Sequence, residues 1–136
     1  MVSDEYRAVF QAAPDGILVV DHRGTIRSAN PMASRLFGYS LDELVGQNVD
    51  ALVPQAARAA HAGYRSRYVS SPRARPMGAE LDLSGRRKDG TEFPAEISLS
   101  PWESADGMRI IVIVRDITQR KRLRDFSEGA LRASED

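Results

Sequence analysis

The sequence predicts an α+β fold, in which the strands of one antiparallel sheet are separated along the chain by a block of short helices. Two short predicted strands lie near the N-terminus: the apolar segment Ile17 to Val20 and, after a turn, Thr25 to Ala29. Segments of helical character follow, and three alternating segments come after them. Strand runs separated by a helical block are typical of α+β folds with an antiparallel sheet. The 136 residues provide one domain with one core, plus terminal helices.

The N-terminal region begins with a predicted helix over Ser3 to Ala13. Its apolar residues fall on one face, and Pro14-Asp15-Gly16 ends it because proline and glycine break helices. The strand Ile17 to Val20 comes next. Asp21-His22-Arg23-Gly24 then turns the chain into the second strand, Thr25 to Ala29.

The helical block starts at Asn30-Pro31. Asparagine caps a helix well and proline suits the first helical position, so a helix is predicted as far as Phe37. Ser40 and Glu43 have the spacing of a capping box, in which each side chain satisfies a free backbone donor. Two further segments complete the block: a helix over about Gln55 to Val69 and a loop over Ser70 to Gly78.

Three predicted strands follow the block: Ala79 to Arg86, Thr91 to Ser100, and Met108 to Arg115. Lys88-Asp89-Gly90 joins the first two, because Asp-Gly tolerates the positive φ of a tight hairpin turn. In the second strand, polar residues alternate with an apolar set on one face, namely Phe93, Ala95, Ile97 and Leu99. The last strand stops at Asp116-Ile117-Thr118, where a charged segment of helical character begins.

Composition limits the classes of function. The chain carries 19 basic and 19 acidic residues, and this balance does not favour general nucleic-acid binding. It has no cysteine, which excludes a disulfide, a thiolate nucleophile and a cysteine-ligated metal. No apolar run reaches the roughly 20 residues of a membrane span, and the N-terminus lacks the order of a secretory signal. We therefore expect a cytoplasmic protein with no membrane or nucleic-acid partner.

Five short motifs occur in an order that is typical of one family. They are Pro14-Asp15-Gly16-Ile17, Asn30-Pro31 with Phe37-Gly38-Tyr39, Leu44-Val45-Gly46-Gln47, Arg86 with Lys88-Asp89-Gly90-Thr91, and Asp116-Ile117-Thr118. With these motifs, the segment from Tyr6 to Arg122 resembles a PAS domain. The resemblance implies a five-stranded antiparallel sheet and helices that enclose a small cavity for a cofactor or metabolite. It also implies that residues 1–13 and 117–136 are flanking helices for dimerisation and effector coupling, around a domain of residues 14–116.

The predicted long helix places a histidine on its inward face. The residues that share this face by their three- and four-residue spacing are Ala57, Ala60, His61, Tyr64 and Tyr68. Arg58 and Arg65 are expected to point to water. A neutral imidazole on such a face can bind a haem iron axially. The alternative is that His61 is a partly buried, hydrogen-bonded residue of the helix.

The segment from His61 to Tyr68 also resembles the proximal-histidine helix of the haem-binding oxygen sensors in the PAS family. The resemblance places His61 at their axial iron ligand and makes haem one candidate cofactor. The distal arginine of those sensors corresponds here to Leu81, which counts against oxygen but leaves carbon monoxide or nitric oxide as ligands. A cysteinyl-flavin adduct is excluded, because Gly46-Gln47-Asn48 is followed by Val49 where light sensors of the family have cysteine. Non-covalent flavin binding stays open.

An apolar pocket for a small molecule is the remaining interpretation. By strand parity, the residues expected to share the pocket face are Ala79, Leu81, Leu83, Ile97, Leu99, Ile110 and Val112, opposite Tyr64 and Met77. The alternative is that these residues only fill the core, because a small domain has few apolar side chains to spare. The identity of a ligand does not follow from them.

We interpret the chain as a sensory input and dimerisation module of a bacterial-type signalling protein, such as a histidine kinase. Asp116, Ile117 and Thr118 are expected to relay a change into the exit helix and on to an effector domain. The expected homodimer surfaces are Tyr6, Val9 and Phe10 in the first helix and Leu123 and Phe126 in the last. Two alternatives remain: a haem gas sensor with His61 as axial ligand, and a ligand-free protein–protein interaction module. No enzymatic function is expected, because the sequence has no phosphate loop, metal-ligand spacing or Ser/His/Asp arrangement.

Overall fold

The computed structural model describes residues 4–70, 72, 75–76 and 83–135. Its strands are β1 (Gly16–Asp21), β2 (Ile26–Ala29), β3 (Arg75–Pro76), β4 (Leu83–Arg86), β5 (Glu92–Ser104) and β6 (Gly107–Asp116). Its helices are α1 (Asp4–Ala12), α2 (Pro31–Phe37), α3 (Leu41–Leu44), α4 (Arg58–Ser70) and α5 (Thr118–Glu135). Two short 3-10 turns, Val49–Leu52 and Gln55–Ala57, lie between α3 and α4.

The described strands form one antiparallel sheet in the order β2-β1-β6-β5, and both β3 and β4 pair with the side of β5 that faces away from β6. β6 is central, because Val112 lies opposite Leu18 of β1 on one side and opposite Leu99 of β5 on the other. Two strands precede the helical block and the longer strands follow it. The predicted α+β fold with an antiparallel sheet is confirmed.

The observed elements depart from the predicted ones mainly in three places. β3 lies inside the segment Ser70 to Gly78, which was expected to be a loop, because its two residues pair with β5. β5 continues past its predicted end to Ser104, since each residue from Ala95 onward has a partner in β6. The predicted long helix begins as a 3-10 turn at Gln55 before α4 starts. Residues 79–82, where the third strand was predicted to begin, lie outside the described residues.

The predicted capping residues define the helical block. Asn30 accepts a hydrogen bond from the N–H of Ala33 at the start of α2 (3.0 Å). At α3, the Glu43 N–H donates to the Ser40 hydroxyl (3.2 Å), and the Ser40 N–H donates to the Glu43 carboxylate (2.9 Å). Gly38 ends α2 with a φ of 76°, a left-handed conformation that glycine adopts without strain. The capping box and both ends of α2 are therefore confirmed.

The core lies between one face of the sheet and the helical block. The sheet contributes alternate residues of its strands: Leu18, Val20, Phe93, Ala95, Ile110, Val112 and Val114. The helical block contributes Ala33, Phe37, Leu44, Leu52 and Tyr68. The rings of Phe37 and Phe93 pack with their centroids 5.4 Å apart. A β-carbon at Gly85 would lie 2.6 Å from the Phe93 ring, so this ring pair requires a glycine on β4.

The two terminal helices flank the domain. α1 contacts α2, and α5 contacts β5. No side chain of α1 is buried, and neither is any side chain that the structure describes in α5. Within the described part of the chain, no helix combines the length and the apolar character needed to cross a membrane.

Candidate functional site

A cavity of about 590 Å³ lies between the inner face of the sheet and α4. The strands line it with Leu18, Val20, Leu83, Ser84, Gly85, Ile97, Leu99, Ile110, Val112 and Val114. The helical block lines it with Phe37, Val49, Leu52, Val53, Pro54, Ala57, Ala60, His61, Arg65 and Tyr68. Small-molecule sites typically enclose roughly 300–1,000 Å³ with mostly apolar walls and a few polar groups. The size and lining of the cavity fall within this description.

Most of the predicted pocket residues that the structure describes line this cavity. Strand parity correctly places Leu83, Ile97, Leu99, Ile110 and Val112 on the sheet side. His61 and Tyr68 of α4 line the opposite wall. The side chain of Tyr64 and the predicted residues Met77, Ala79 and Leu81 lie outside the described part. That any of these residues binds a ligand stays a prediction.

A polar cluster of His61, Arg65 and Asp50 stands at one wall of the cavity. His61 Nδ1 lies 2.5 Å from Asp50 Oδ1. Arg65 Nη2 donates to Asp50 Oδ2 at 3.0 Å, so each carboxylate oxygen has its own partner. The side chains of His61 and Arg65 are only 16% and 18% exposed. The cluster is thus largely enclosed while two of its members line the cavity.

The prediction that Arg65 points to water is wrong. Its guanidinium is held inside because Nη1 donates to the Arg23 carbonyl (2.9 Å) while Nη2 donates to Asp50. Arg58, which was also expected to face water, is half-buried, and its Nε donates to the Val53 carbonyl at 3.2 Å. Both arginines therefore fix the loop before α4 instead of forming a fully solvated face.

The charge state of Asp50 sets the chemistry of the cluster. Burial raises the pKa of Asp50, but the hydrogen bonds and charges of Arg65 and His61 outweigh it and bring the pKa below its ordinary value of 3.8. Asp50 is therefore ionised at neutral pH and can only accept hydrogen bonds. The Nδ1 of His61 then carries the proton. In neutral His61 this leaves Nε2 with a lone pair that can accept a hydrogen bond or bind a metal.

Sequence reasoning missed Asp50 and misplaced Arg65. One available signal was the four-residue spacing between His61 and Arg65, which places two side chains on the same helix face. Asp50 had no such signal, because it lies 11 residues before His61 in a separate turn. Only the packing of the 3-10 turn against α4 brings the carboxylate to His61 and Arg65.

The three predicted relay residues form the junction between β6 and α5. Asp116 Oδ1 accepts hydrogen bonds from the Thr118 N–H (2.8 Å) and from its hydroxyl (2.5 Å). The Ile117 N–H donates to the Pro94 carbonyl of β5 at 3.0 Å. Arg87 Nη2 lies 3.7 Å from Asp116 Oδ2. The start of α5 is thus attached both to β6 and to β5, although a relay role stays a prediction.

Two ion pairs reinforce this end of the sheet. Arg115 of β6 donates from Nε and Nη2 to the two carboxylate oxygens of Asp15, at 3.1 and 3.0 Å. These hydrogen bonds from Arg115 to Asp15 raise the pKa of the guanidinium. Arg120 of α5 donates to Glu96 of β5 at 2.5 Å. The pairs join the entry to β1 and the first turn of α5 to the central strands.

The predicted dimer residues are mostly exposed. Tyr6 and Val9 of α1 are 72% and 63% exposed, and Leu123 and Phe126 of α5 are 61% and 75% exposed. Phe10 is half-buried. The outer face of the sheet adds Trp102 and Ile113, two exposed apolar residues that sequence reasoning did not single out. These positions form candidate contact surfaces, and dimerisation stays a prediction.

A family model described as the PAS fold matches residues 4–117, which include the described cavity lining and the first two residues of the junction. The chain belongs to the PAS family. The match confirms the resemblance that the five sequence motifs carry. A solved PAS domain of a protein from Colwellia psychrerythraea superposes with a TM-score of 0.73 at 23% identity, over 85% of this chain and 97% of that one. This likeness supports the fold.

Several curated relatives of this PAS domain are sensor proteins. Sensor protein FixL of Bradyrhizobium diazoefficiens is 34% identical over 116 residues, which are 85% of this chain and 23% of FixL. Oxygen sensor protein DosP of Escherichia coli is 29% identical over 101 residues, which are 74% of this chain and 13% of DosP. Cell-division control histidine kinase PdhS of Brucella ovis is 27% identical over 132 residues, which are 97% of this chain and 13% of PdhS.

The PAS domain spans less than a quarter of each of these three relatives. It is therefore homologous to one part of larger signalling proteins, two of which are named as sensors and one as a histidine kinase. The chain is a sensory module of the PAS type, as the sequence predicts.

Proposed function

We propose that this PAS domain binds a small ligand in the 590 Å³ cavity and passes the change through β6 into α5, to an effector domain of the same parent chain. The observation that carries the proposal is that one strand belongs to both sites. β6 lines the cavity with Ile110, Val112 and Val114, and it ends at Asp116 in the junction. A side chain that moves against a ligand is thus only two residues from the start of the junction.

The junction offers a physical route for such a change. The Ile117 N–H is hydrogen-bonded to the Pro94 carbonyl of β5, and Arg87, beside the β4–β5 turn, forms an ion pair with Asp116. A shift of β6 relative to β5 would therefore alter the first turn of α5. The ligand must favour one of two arrangements of β5 and β6, since equal affinity for both would shift nothing.

The proposal includes a homodimer in the cytoplasm, with no membrane or nucleic-acid partner and no catalytic activity of the domain itself. Exposed apolar side chains on α1 and α5 support the dimer, because an amphipathic helix beside a domain buries its stripe against a partner. The kinase relative supports a parent protein with an effector domain, which would carry any enzymatic activity.

Native mass spectrometry of the freshly purified protein tests whether the cavity holds a ligand. We expect a bound small molecule in the wild type and its loss in Leu99→Trp, because the larger ring fills the sheet side of the cavity. Ser100→Trp is the matched control, since Ser100 is the next residue of β5 and does not line the cavity. If Leu99→Trp and Ser100→Trp both retain the additional mass of the bound molecule, cavity binding would be contradicted.

A haem-binding gas sensor is the second candidate. Asp50 holds Nδ1 of His61 and leaves Nε2 for a metal, which suits an axial ligand. Within the described residues, no three metal-binding side chains cluster, so His61 suits a metal that brings its own ligands, as haem does. The name of the relative DosP, an oxygen sensor, also favours this candidate. His61 would hold the haem, and haem bound there would supply an iron that can bind a gas.

The absorption spectrum before and after haem addition tests this second candidate. A stoichiometric Soret band that disappears in His61→Ala and persists in His22→Ala would support it, because His22 is exposed in the β1–β2 turn. A protein spectrum that haem leaves unchanged would exclude it. If native mass spectrometry also finds no ligand, the third candidate, a ligand-free interaction module, becomes the leading one.

A further inference from the structure

In the described part of the chain, the cavity wall contains one permanently charged side chain. Among the described residues that line the cavity, Arg65 is the only arginine or lysine, and no carboxylate lines it. The other described side chains at the wall that carry polar atoms are His61, Tyr68 and Ser84. A guanidinium in a mostly apolar wall favours a ligand that is apolar along most of its length and carries a hydrogen-bond acceptor, such as a carboxylate, at one end.

Arg65 has hydrogen-bond donors that the protein does not use. Its guanidinium carries five N–H groups. Nη1 donates to the Arg23 carbonyl and Nη2 to Asp50. The Nε–H is buried and has no acceptor among the described residues. The Nε–H has almost no accessible surface, so a ligand in the cavity would use the remaining N–H groups of Nη1 and Nη2.

The position of the guanidinium is fixed before any ligand arrives. It packs against Gly24, where a β-carbon would lie 2.8 Å from both Cζ and Nε of Arg65. Gly24 has a φ of 87°, so the turn needs glycine for its backbone as well as for this contact. On its other side, the guanidinium is hydrogen-bonded to Asp50 and to the Arg23 carbonyl. An anchor that is already ordered loses little conformational entropy when it binds a ligand.

We propose that the cavity binds an amphipathic organic monocarboxylate whose carboxylate is held by Arg65 and whose apolar part lies against β5 and β6. A planar guanidinium matches a carboxylate, because two parallel N–H groups can donate to its two oxygens. A single negative charge fits better than a dianion, since Asp50 already lies 3.0 Å from Nη2 and would repel a second charge. The inference rests on the ligand-binding part of the proposed function and adds the chemical class of the ligand.

Octanoate and octan-1-ol test this class in the wild-type protein, because they share a chain length and differ in the head group. We expect isothermal titration calorimetry at neutral pH to show octanoate binding roughly 10- to 100-fold more tightly, as a charge-assisted hydrogen bond provides. Equal affinities, or tighter binding of the alcohol, would overturn the carboxylate assignment and would leave the cavity as a ligand site. Absence of binding by both probes would also overturn it, whereas native mass spectrometry tests the ligand-binding proposal independently.

Two variants on the same helix assign the effect to Arg65. Arg65→Gln should weaken octanoate binding much more than octan-1-ol binding and so remove the preference for octanoate. Arg67→Gln is the matched control, because Arg67 is exposed and does not line the cavity, and it should keep the preference. An Arg65→Gln protein that binds octanoate as tightly as the wild type would contradict the proposal. If circular dichroism shows that Arg65→Gln does not fold, Arg65→Lys takes its place as the test. Lysine keeps the positive charge but lacks the planar guanidinium, so most of the preference for octanoate should be lost.

Discussion

Asn30 joins three parts of the fold through one buried side chain. Its Oδ1 accepts hydrogen bonds from the N–H groups of Ile17 (2.8 Å) and Ala33 (3.0 Å). Its Nδ2 donates to the carbonyls of Phe10 (3.1 Å) and Asp15 (3.0 Å). The residue is fully buried, and all four of its hydrogen-bonding positions are used. Asn30 therefore holds the end of α1, the start of β1 and the start of α2 together.

Asn30→Ala should lower the free energy of unfolding by about 2–4 kcal/mol, because it removes a helix cap and leaves buried backbone groups without partners. Urea denaturation measures the change. Asn48→Ala is the control: Asn48 also caps a turn, but it is exposed, and its loss should cost about 1 kcal/mol or less. Equal losses in the two variants would contradict this role of Asn30.

Gly85 and Gly63 offer a matched pair of glycine substitutions with opposite expected signs. Gly85→Ala should destabilise the fold by roughly 1–3 kcal/mol, because its β-carbon would lie 2.6 Å from Phe93 and 3.1 Å from Phe37. Gly63→Ala should stabilise it by up to about 1 kcal/mol, because Gly63 lies inside α4 with its nearest neighbour 3.8 Å away. Thermal unfolding of both variants tests the pair. A neutral Gly85→Ala would mean that the Phe37–Phe93 packing adapts easily.

Asp50 should make stability depend on pH in the acidic range. Its pKa is lower in the folded state than its ordinary value of 3.8, so the ionised form stabilises the fold. This contribution is fully present above the unfolded pKa and is lost as the pH falls through the folded pKa. The stability difference between wild type and Asp50→Asn should therefore shrink as the pH falls below roughly 4. Urea denaturation across this range measures it.

Asp106→Asn provides the control for the acidic range, because Asp106 lies exposed in the β5–β6 turn. The free energy of unfolding of Asp106→Asn should stay closer to the wild-type value at every pH than that of Asp50→Asn. A difference between wild type and Asp50→Asn that does not change with pH would contradict the assigned role of the Asp50 carboxylate.

At the residue scale, the sequence predicts those contacts that join residues close together in the chain. Asn30, Ser40 and Glu43 cap their helices as expected, because capping involves residues three positions apart. The contact between Asp50 and Arg65 could not be predicted in this way. The two residues are 15 positions apart in different elements, and no local pattern joins them.

Among the elements, the connection between β6 and α5 carries the proposed relay. Asp116→Ala removes the acceptor of the Thr118 N–H and should lower the stability of the first turn of α5 by about 1 kcal/mol. Amide hydrogen exchange should become faster over residues 118–121 and remain unchanged at cavity-lining positions such as Val112. Asp125→Ala, an exposed carboxylate later in α5, is the control. Unchanged exchange in the first turn would show that Asp116 does not hold it.

Element boundaries were predictable where turn and capping residues mark them. The hairpin turn before β5 and the end of α2 lie where the sequence places them. β3 was missed because two residues are too few to show a period of two. The length of β5 was also underestimated, because its last residues include Pro101 and Trp102, which continue the pairing with β6 without the apolar alternation of Phe93 to Leu99.

For the molecule as a whole, the proposed homodimer can be tested by substitutions in the terminal helices. Phe126→Glu should weaken the dimer at least tenfold, because a charge would replace a 75% exposed aromatic ring at the proposed contact. Ser127→Glu introduces the same charge at the next exposed position and should change the affinity less. Sedimentation velocity over a range of concentrations measures both. A wild-type protein that stays monomeric throughout would contradict the homodimer.

The order of the predicted strands and helices was enough to predict the fold, whereas only part of the cavity could be predicted from the sequence. Strand parity places Ile97, Leu99 and Ile110 on one face, which is enough to predict where a pocket would form. The volume left open depends on how α4 and the turns before it pack against that face. This packing joins residues far apart in the chain, and so the polar cluster at the wall emerges only in three dimensions.

Amide hydrogen exchange of the full chain, with and without octanoate and separately with haem, tests the coupling between cavity and exit helix most directly. Any probe that protects cavity-lining amides of β5 and β6 should also change exchange across Asp116, Ile117, Thr118 and the first turn of α5. Protection confined to the cavity, with exchange at this junction identical in the free and bound protein, would contradict the proposed relay.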